Sequence, residues 1–133
     1  MRDHLNASAP LLKRLRLLCL ALPSATEERA WVGTRWKVRS KTFAHVVPIV
    51  DGWPPAYVKA AGSTGPVTVL TFRSDLEEHE ALRAMGHPFF VPEWWPDIAG
   101  VVLDEQTDWD EIAELITESY RLLAPQTLQR MLP

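Results

Sequence analysis

The segment Val67–Arg73, VTVLTFR, constrains this chain most. It is dominated by β-branched and aromatic residues, the types that suit a pleated surface. It alternates less than a strand with one wet face would. A central strand covered on both faces is therefore expected. Such a strand needs neighbours on each side and a layer above and below. With 133 residues, one compact domain can supply them and two cannot.

The flanking segments suggest what the neighbours and layers are. Leu11, Leu12, Leu15, Leu18, Cys19 and Leu22 recur at helical spacing. Ser8 is placed as their N-cap, Pro10 in the first turn and Pro23 at the end. Lys13, Arg14 and Arg16 interrupt this run, so it does not read as a secretory signal. Thr34–Val38 and Lys41–Val47 read as two strands, the second closed by Pro48. Arg39-Ser40 between them is a poor two-residue turn, because both positions would need positive φ. A longer link or a bulge is expected there. Residues 51–66 are rich in Pro and Gly and read as a loop, or as a short strand around Ala56–Ala60.

Ser74, with Glu77 three residues on, reads as the capping box of a helix. Its inner stripe is Leu76, His79, Leu82 and Met85, and Gly86 stops it. Phe89–Pro96 reads as irregular and Gly100–Leu103 as a short strand. Thr107 or Asp108 caps a long helix reaching Leu123, with Trp109, Ile112, Ala113, Ile116, Tyr120 and Leu123 inward. Gln126–Leu132 has room for a short terminal helix. The order is that of an α+β fold, an antiparallel sheet packed against helices mainly on one face.

Charge is unevenly distributed. Residues 1–73 carry eleven Lys/Arg against four Asp/Glu, and residues 74–133 three against thirteen, for a net charge of -3. A pI of about 5.8 argues against a general polyanion binder. A local basic face remains open, as does attraction between the halves within one fold or across a homodimer. No apolar run is long enough to cross a membrane, and a soluble, cytoplasmic protein is expected. A single cysteine, Cys19, excludes an internal disulfide and a Cys-based zinc site, and it falls on the buried helix stripe.

Catalytic signatures are missing. Gly62-Ser63-Thr64-Gly65 lacks the lysine of a phosphate-binding loop, and Arg83 stands where a zinc-protease helix would need its second histidine after His79-Glu80. His4, His45 and His87 are scattered. No metal, cofactor or enzymatic activity is expected. His45, on a strand beside the basic segment, is either structural or a ligand contact. The most informative local feature is Arg35, Lys37, Arg39 and Lys41. On one continuous strand they share a face. If the chain turns at Arg39-Ser40, Arg39 and Lys41 sit at a hairpin tip. Either arrangement makes a basic ribbon that can follow phosphates. The plainer alternative is a sheet edge blunted against pairing. Trp53 and Tyr57 could stack on bases. Among the six tryptophans, Trp31, Trp36 and Trp109 fall on core positions, and Trp53, Trp94 and Trp95 lie in proline-bearing loops.

Several segments together resemble the MmcQ/YjbR-like family. LPSATEE after the first helix is similar to its Leu-Pro-x-x-x-Glu connection. WKVRSKTFA, Trp36–Ala44, is similar to its strand-turn-strand signature around Lys41, Phe43 and Ala44. GHPFF, GVVLD and TDWDEIAELITESYRLLAP resemble its later elements, ending at Ser119-Tyr120. The resemblance covers roughly residues 10–130. It departs where the family's Gly-Trp strand opening is replaced by Ala99-Gly100-Val101-Val102, and where Val67–Arg73 lacks an internal lysine. It implies a CyaY-like α/β sandwich and a DNA-binding role, with no catalytic residues.

The leading expectation is a single non-enzymatic domain spanning 1–133. It would contact duplex DNA weakly and salt-dependently through Arg35, Lys37, Arg39 and Lys41, with Trp53 as a stacking residue. The alternative is a protein–protein interaction or small-ligand module using the loop tryptophans.

Overall fold

The computed structural model describes residues 4–93 and 95–133; Trp94, one of the three loop tryptophans, lies outside them. The elements in chain order are α1 (Ala9–Cys19), β1 (Thr26–Arg29), β2 (Thr34–Val38), β3 (Lys41–Ile49), α2 (Pro55–Ala61) and β4 (Val67–Arg73). They continue with α3 (Leu76–Met85), β5 (Phe89–Phe90), β6 (Ile98–Leu103), α4 (Trp109–Leu123) and α5 (Gln126–Gln129). The strands form one open antiparallel sheet in the order β1-β2-β3-β4-β6-β5. β4 is central, between β3 and β6, and Val69–Phe72 are buried.

The sheet has two unlike faces. On one, Leu15 and Cys19 of α1, Ile112, Ile116 and Tyr120 of α4 and Leu128 of α5 pack against Trp36, Val46, Leu70 and Phe72. This is the main core, and its helix stripes follow from apolar residues three and four apart. Cys19 is buried there, and burial pushes its thiol well above the usual range. On the other face a smaller cluster of Val32, Val47, Ile49, Val69 and Val102 is covered by Tyr57 and Val58 of α2 and by Trp53 and Phe90. Beyond that cluster the second face is half-buried, with Arg35, Lys37, Thr42, His45 and Arg73 on it.

Local chemistry corrects several expectations. Residues 55–61 form a helix, not a strand or loop. Pro55 stands at its start, where a missing N–H costs nothing, and Gly62 stops it at φ 71°. Helix α1 ends at Cys19, before Pro23 is reached. Asp75, not Ser74, caps α3 by accepting the Glu78 amide at 2.8 Å. Of the expected α3 stripe, His79 and Leu82 are buried, whereas Leu76 and Met85 are exposed; α3 meets the sheet at its β6 and β5 edge. β3 runs through Pro48 to Ile49. β2 begins at Thr34, opposite Val46, so Pro48 has a strand partner on one side only and is tolerated there. Phe89-Phe90 forms a short edge strand, and β6 starts two residues earlier than expected. β1 was not anticipated at all.

The β2–β3 link is two residues long after all. Arg39 and Ser40 take positive φ, 50° and 69°, and Val38 pairs with Lys41. This is the geometry of the mirror-image hairpin turn, adopted without glycine. The bulge expected near it is also present. Trp36 pairs with Ala44 and Lys37 with Thr42, which leaves Phe43 as the extra residue.

A cationic pocket on the open sheet face

The bulge decides which side chains meet on the open face. Phe43 and Ala44 are both buried toward the helices, and Thr42 is returned to the face of Lys37. From there strand alternation places a row across the sheet. Arg35 on β2 pairs with His45 on β3, His45 with Thr71 on β4, and Thr71 with Gly100 on β6. Arg73 lies two residues beyond Thr71 on the same face.

Tyr57 of α2 and Trp95 from the loop before β6 rise beside this row, with ring centroids 5.8 Å apart. Together these groups enclose a pocket of about 160 Å³ lined by Arg35, Thr42, His45, Tyr57, Thr71, Arg73, Trp95 and Ile98, among others. Among the described residues no carboxylate lines it. Its charged groups are guanidiniums and its neutral polar groups are hydroxyls and one imidazole.

Several of these polar groups are held in place. His45 Nε2 lies 2.7 Å from the Val32 carbonyl, which can only accept, so Nε2 carries the hydrogen. Nδ1 is then the acceptor for the Tyr57 hydroxyl at 3.4 Å. Burial pushes the His45 imidazole below its ordinary pKa. The hydrogen bond to Val32 opposes that shift and Arg35 adds to it. Burial likewise raises the Tyr57 hydroxyl. Arg73 donates from Nε to the Thr42 carbonyl at 3.3 Å and from Nη1 to Asp97 Oδ2 at 2.5 Å. Arg35 pairs with Glu28 of β1, which also meets Lys37 Nζ at 3.4 Å. The Arg35 guanidinium, hydrogen-bonded to Glu28, holds that carboxyl below the usual range.

The structure divides the four expected basic residues into two pairs. Arg35 and Lys37 lie side by side on the open face, half-buried and bridged by Glu28. Arg39 and Lys41 are exposed at the hairpin tip, and among the described residues neither enters a salt bridge. The basic residues do not blunt a sheet edge, because β1 lies outside β2. The acidic second half does not mask them either. The carboxylate on Arg35 and Lys37 comes from β1, and Arg73–Asp97 is the ion pair that crosses between the halves among the described residues.

Trp53 is not in the pocket. It packs edge-on against Trp31, centroids 5.1 Å apart, over the smaller cluster. Trp31 itself is 79% exposed rather than in the core, because it precedes β2 and lies beyond the register that buries Trp36. Trp109 is partly exposed, with the Arg14 guanidinium 4.4 Å above its ring. Arg73 and Thr71 were not recognised from the sequence as site residues. They end a strand expected to be apolar, and only the pairing with His45 brings them to Arg35.

A family model described as YjbR matches residues 20–122. Two crystal structures share the fold. The Deinococcus radiodurans protein DR2400, with a DUF419 domain, is 22% identical over 92% of this chain and 88% of its own, with a TM-score of 0.63. A protein from Pseudomonas syringae is 17% identical over 76% of this chain and 78% of its own, with a TM-score of 0.51. No curated protein matches the chain.

Proposed function

The chain belongs to the YjbR family, and on that premise we propose that it is a non-catalytic nucleic-acid-binding domain that grips phosphates with its β2–β3 hairpin. The observation that carries this reading is the tip itself. Arg39 and Lys41 are exposed and project from a two-residue turn without an ion pair among the described residues. Their charge is available to phosphate, whereas that of Arg35 and Lys37 is shared with Glu28. Arg39 is also held at positive φ, a conformation that costs an arginine about 1–2 kcal/mol. Contacts of this kind release counterions and carry little sequence information. Binding is therefore weak, salt-dependent and tolerant of sequence.

The test is a salt titration with a short DNA duplex. The logarithm of affinity should fall linearly with the logarithm of salt, and Arg39→Glu with Lys41→Glu should abolish binding at low salt. A protein that binds no DNA at low ionic strength does not have this function.

A further inference from the structure

We propose that the pocket between Arg35, Tyr57, Arg73 and Trp95 receives one unpaired nucleotide, so that the protein holds single strands more tightly than duplex. This rests on the nucleic-acid reading of the hairpin and adds a second, separable contact to it.

Three observations carry the step. The first is continuity. Lys37 and Thr42 pair at the base of the hairpin, and Thr42 is already a pocket wall. A strand whose phosphates lie on Arg39 and Lys41 therefore arrives directly at the pocket mouth. The second is size. A pocket of about 160 Å³ is well below the roughly 300 Å³ at which sites for whole drug-sized ligands begin. It has room for one planar ring system. The third is chemistry. The aromatic wall of Tyr57 and Trp95 offers a surface to a base, and the hydroxyls of Thr42 and Thr71 can meet its polar edge. Arg35 and Arg73 stand on strands about 10 Å apart across β3, on either side of the opening. Among the described residues no carboxylate lines the site; Glu28 and Asp97 pair with Arg35 and Arg73 from outside the lining, and a nucleotide phosphate at the mouth shares those guanidiniums with them while its acceptor-rich base enters the pocket. A base within a duplex is stacked and paired and cannot reach such a pocket, whereas an unpaired one can.

The experiment compares a 12-nucleotide oligothymidylate, the matching 12-base-pair duplex and thymidine monophosphate, with amide shifts followed by NMR and affinities by titration. The single strand should bind at least tenfold more tightly than the duplex and shift Thr42, His45, Thr71 and Arg73. The duplex should shift the hairpin tip alone. Tyr57→Leu, or Arg73→Gln where the first variant folds poorly, should erase the preference, a loss of roughly five- to 150-fold for one stacked base, and leave duplex affinity unchanged. Arg39→Glu with Lys41→Glu should abolish duplex binding and weaken that of the single strand.

Equal affinity for the two forms, or a preference that survives both pocket variants, overturns the pocket assignment and leaves the hairpin reading standing. Tight binding of the monophosphate with no gain from flanking nucleotides also overturns it, by marking a site for free nucleotide. Failure of all three ligands to bind at low salt removes the hairpin reading and the pocket assignment together.

Discussion

Ser119 and Phe43 lie far apart in the chain, yet the Ser119 hydroxyl donates to the Phe43 carbonyl at 2.6 Å. Ser119 Oγ in turn accepts the Arg73 amide at 2.8 Å. One fully buried serine on α4 thus ties the bulge of β3 to the end of β4, and Phe43 and Arg73 both line the pocket. Ser119→Ala would leave both backbone groups unpaired in the core. It should cost about 1–3 kcal/mol, read by urea denaturation, and should lower single-strand affinity more than duplex affinity.

A second contact fixes the far end of the same row. An added methyl at Gly100 would lie 2.2 Å from the Phe90 ring, so the ring needs the bare backbone. Gly100→Ala should destabilise by about 1–3 kcal/mol, as overpacking does. Adding Phe90→Leu should recover part of that loss. A double-mutant cycle with no coupling would show that the ring does not set the constraint.

The turn offers a way to separate stability from binding. Arg39 and Ser40 both hold positive φ, which asparagine and glycine accept at lower cost. Arg39→Asn with Ser40→Gly should raise stability by about 1 kcal/mol and at the same time weaken DNA binding and lower its salt slope by about one. Denaturation and salt titration of the same variant measure the two effects.

His45 makes the fold sensitive to mild acid. Its pKa is lowered in the folded protein, chiefly by burial. Between that value and the unfolded value of about 6.5, the unfolded chain binds more protons than the native one. Its contribution is therefore present above about pH 6.5 and is lost as pH falls through the folded pKa. Protonation would also remove the Nδ1 acceptor from the Tyr57 hydroxyl. Stability should decline from pH 7 to pH 5, and His45→Gln should flatten that decline. An unchanged slope in the variant would assign it to other groups.

Elements with a distinctive composition or spacing could be read in advance. Val67–Arg73 lies where its β-branched and aromatic residues put it, and the α4 stripe from Ile112 to Tyr120 where helical periodicity puts it. Thr26–Arg29 could not be read, because TEER has no strand pattern of its own. It is held by pairing with β2, by Glu27 accepting the Trp36 indole N–H at 2.8 Å, and by the Arg16–Glu27 ion pair. Pro55–Ala61 was obscured by its prolines, although a proline at the start and Gly62 at the end are themselves helix signals. The basic residues and His45 were visible, but their relation to Arg73 depends on a register between β3 and β4 that no local pattern encodes.

The sheet order also bears on how the chain comes to be folded during synthesis. β1 to β4 are neighbours in both sequence and space, with short links between β1, β2 and β3 and the α2 segment between β3 and β4, so a four-stranded meander can form once the ribosome has released residues up to Arg73. Its underside, with Trp36, Leu70 and Phe72, then has α1 beside it but still lacks α4. Until Ile112, Ile116 and Tyr120 emerge, the nascent protein presents a sticky half-finished surface, and this interval is when it would most need a chaperone.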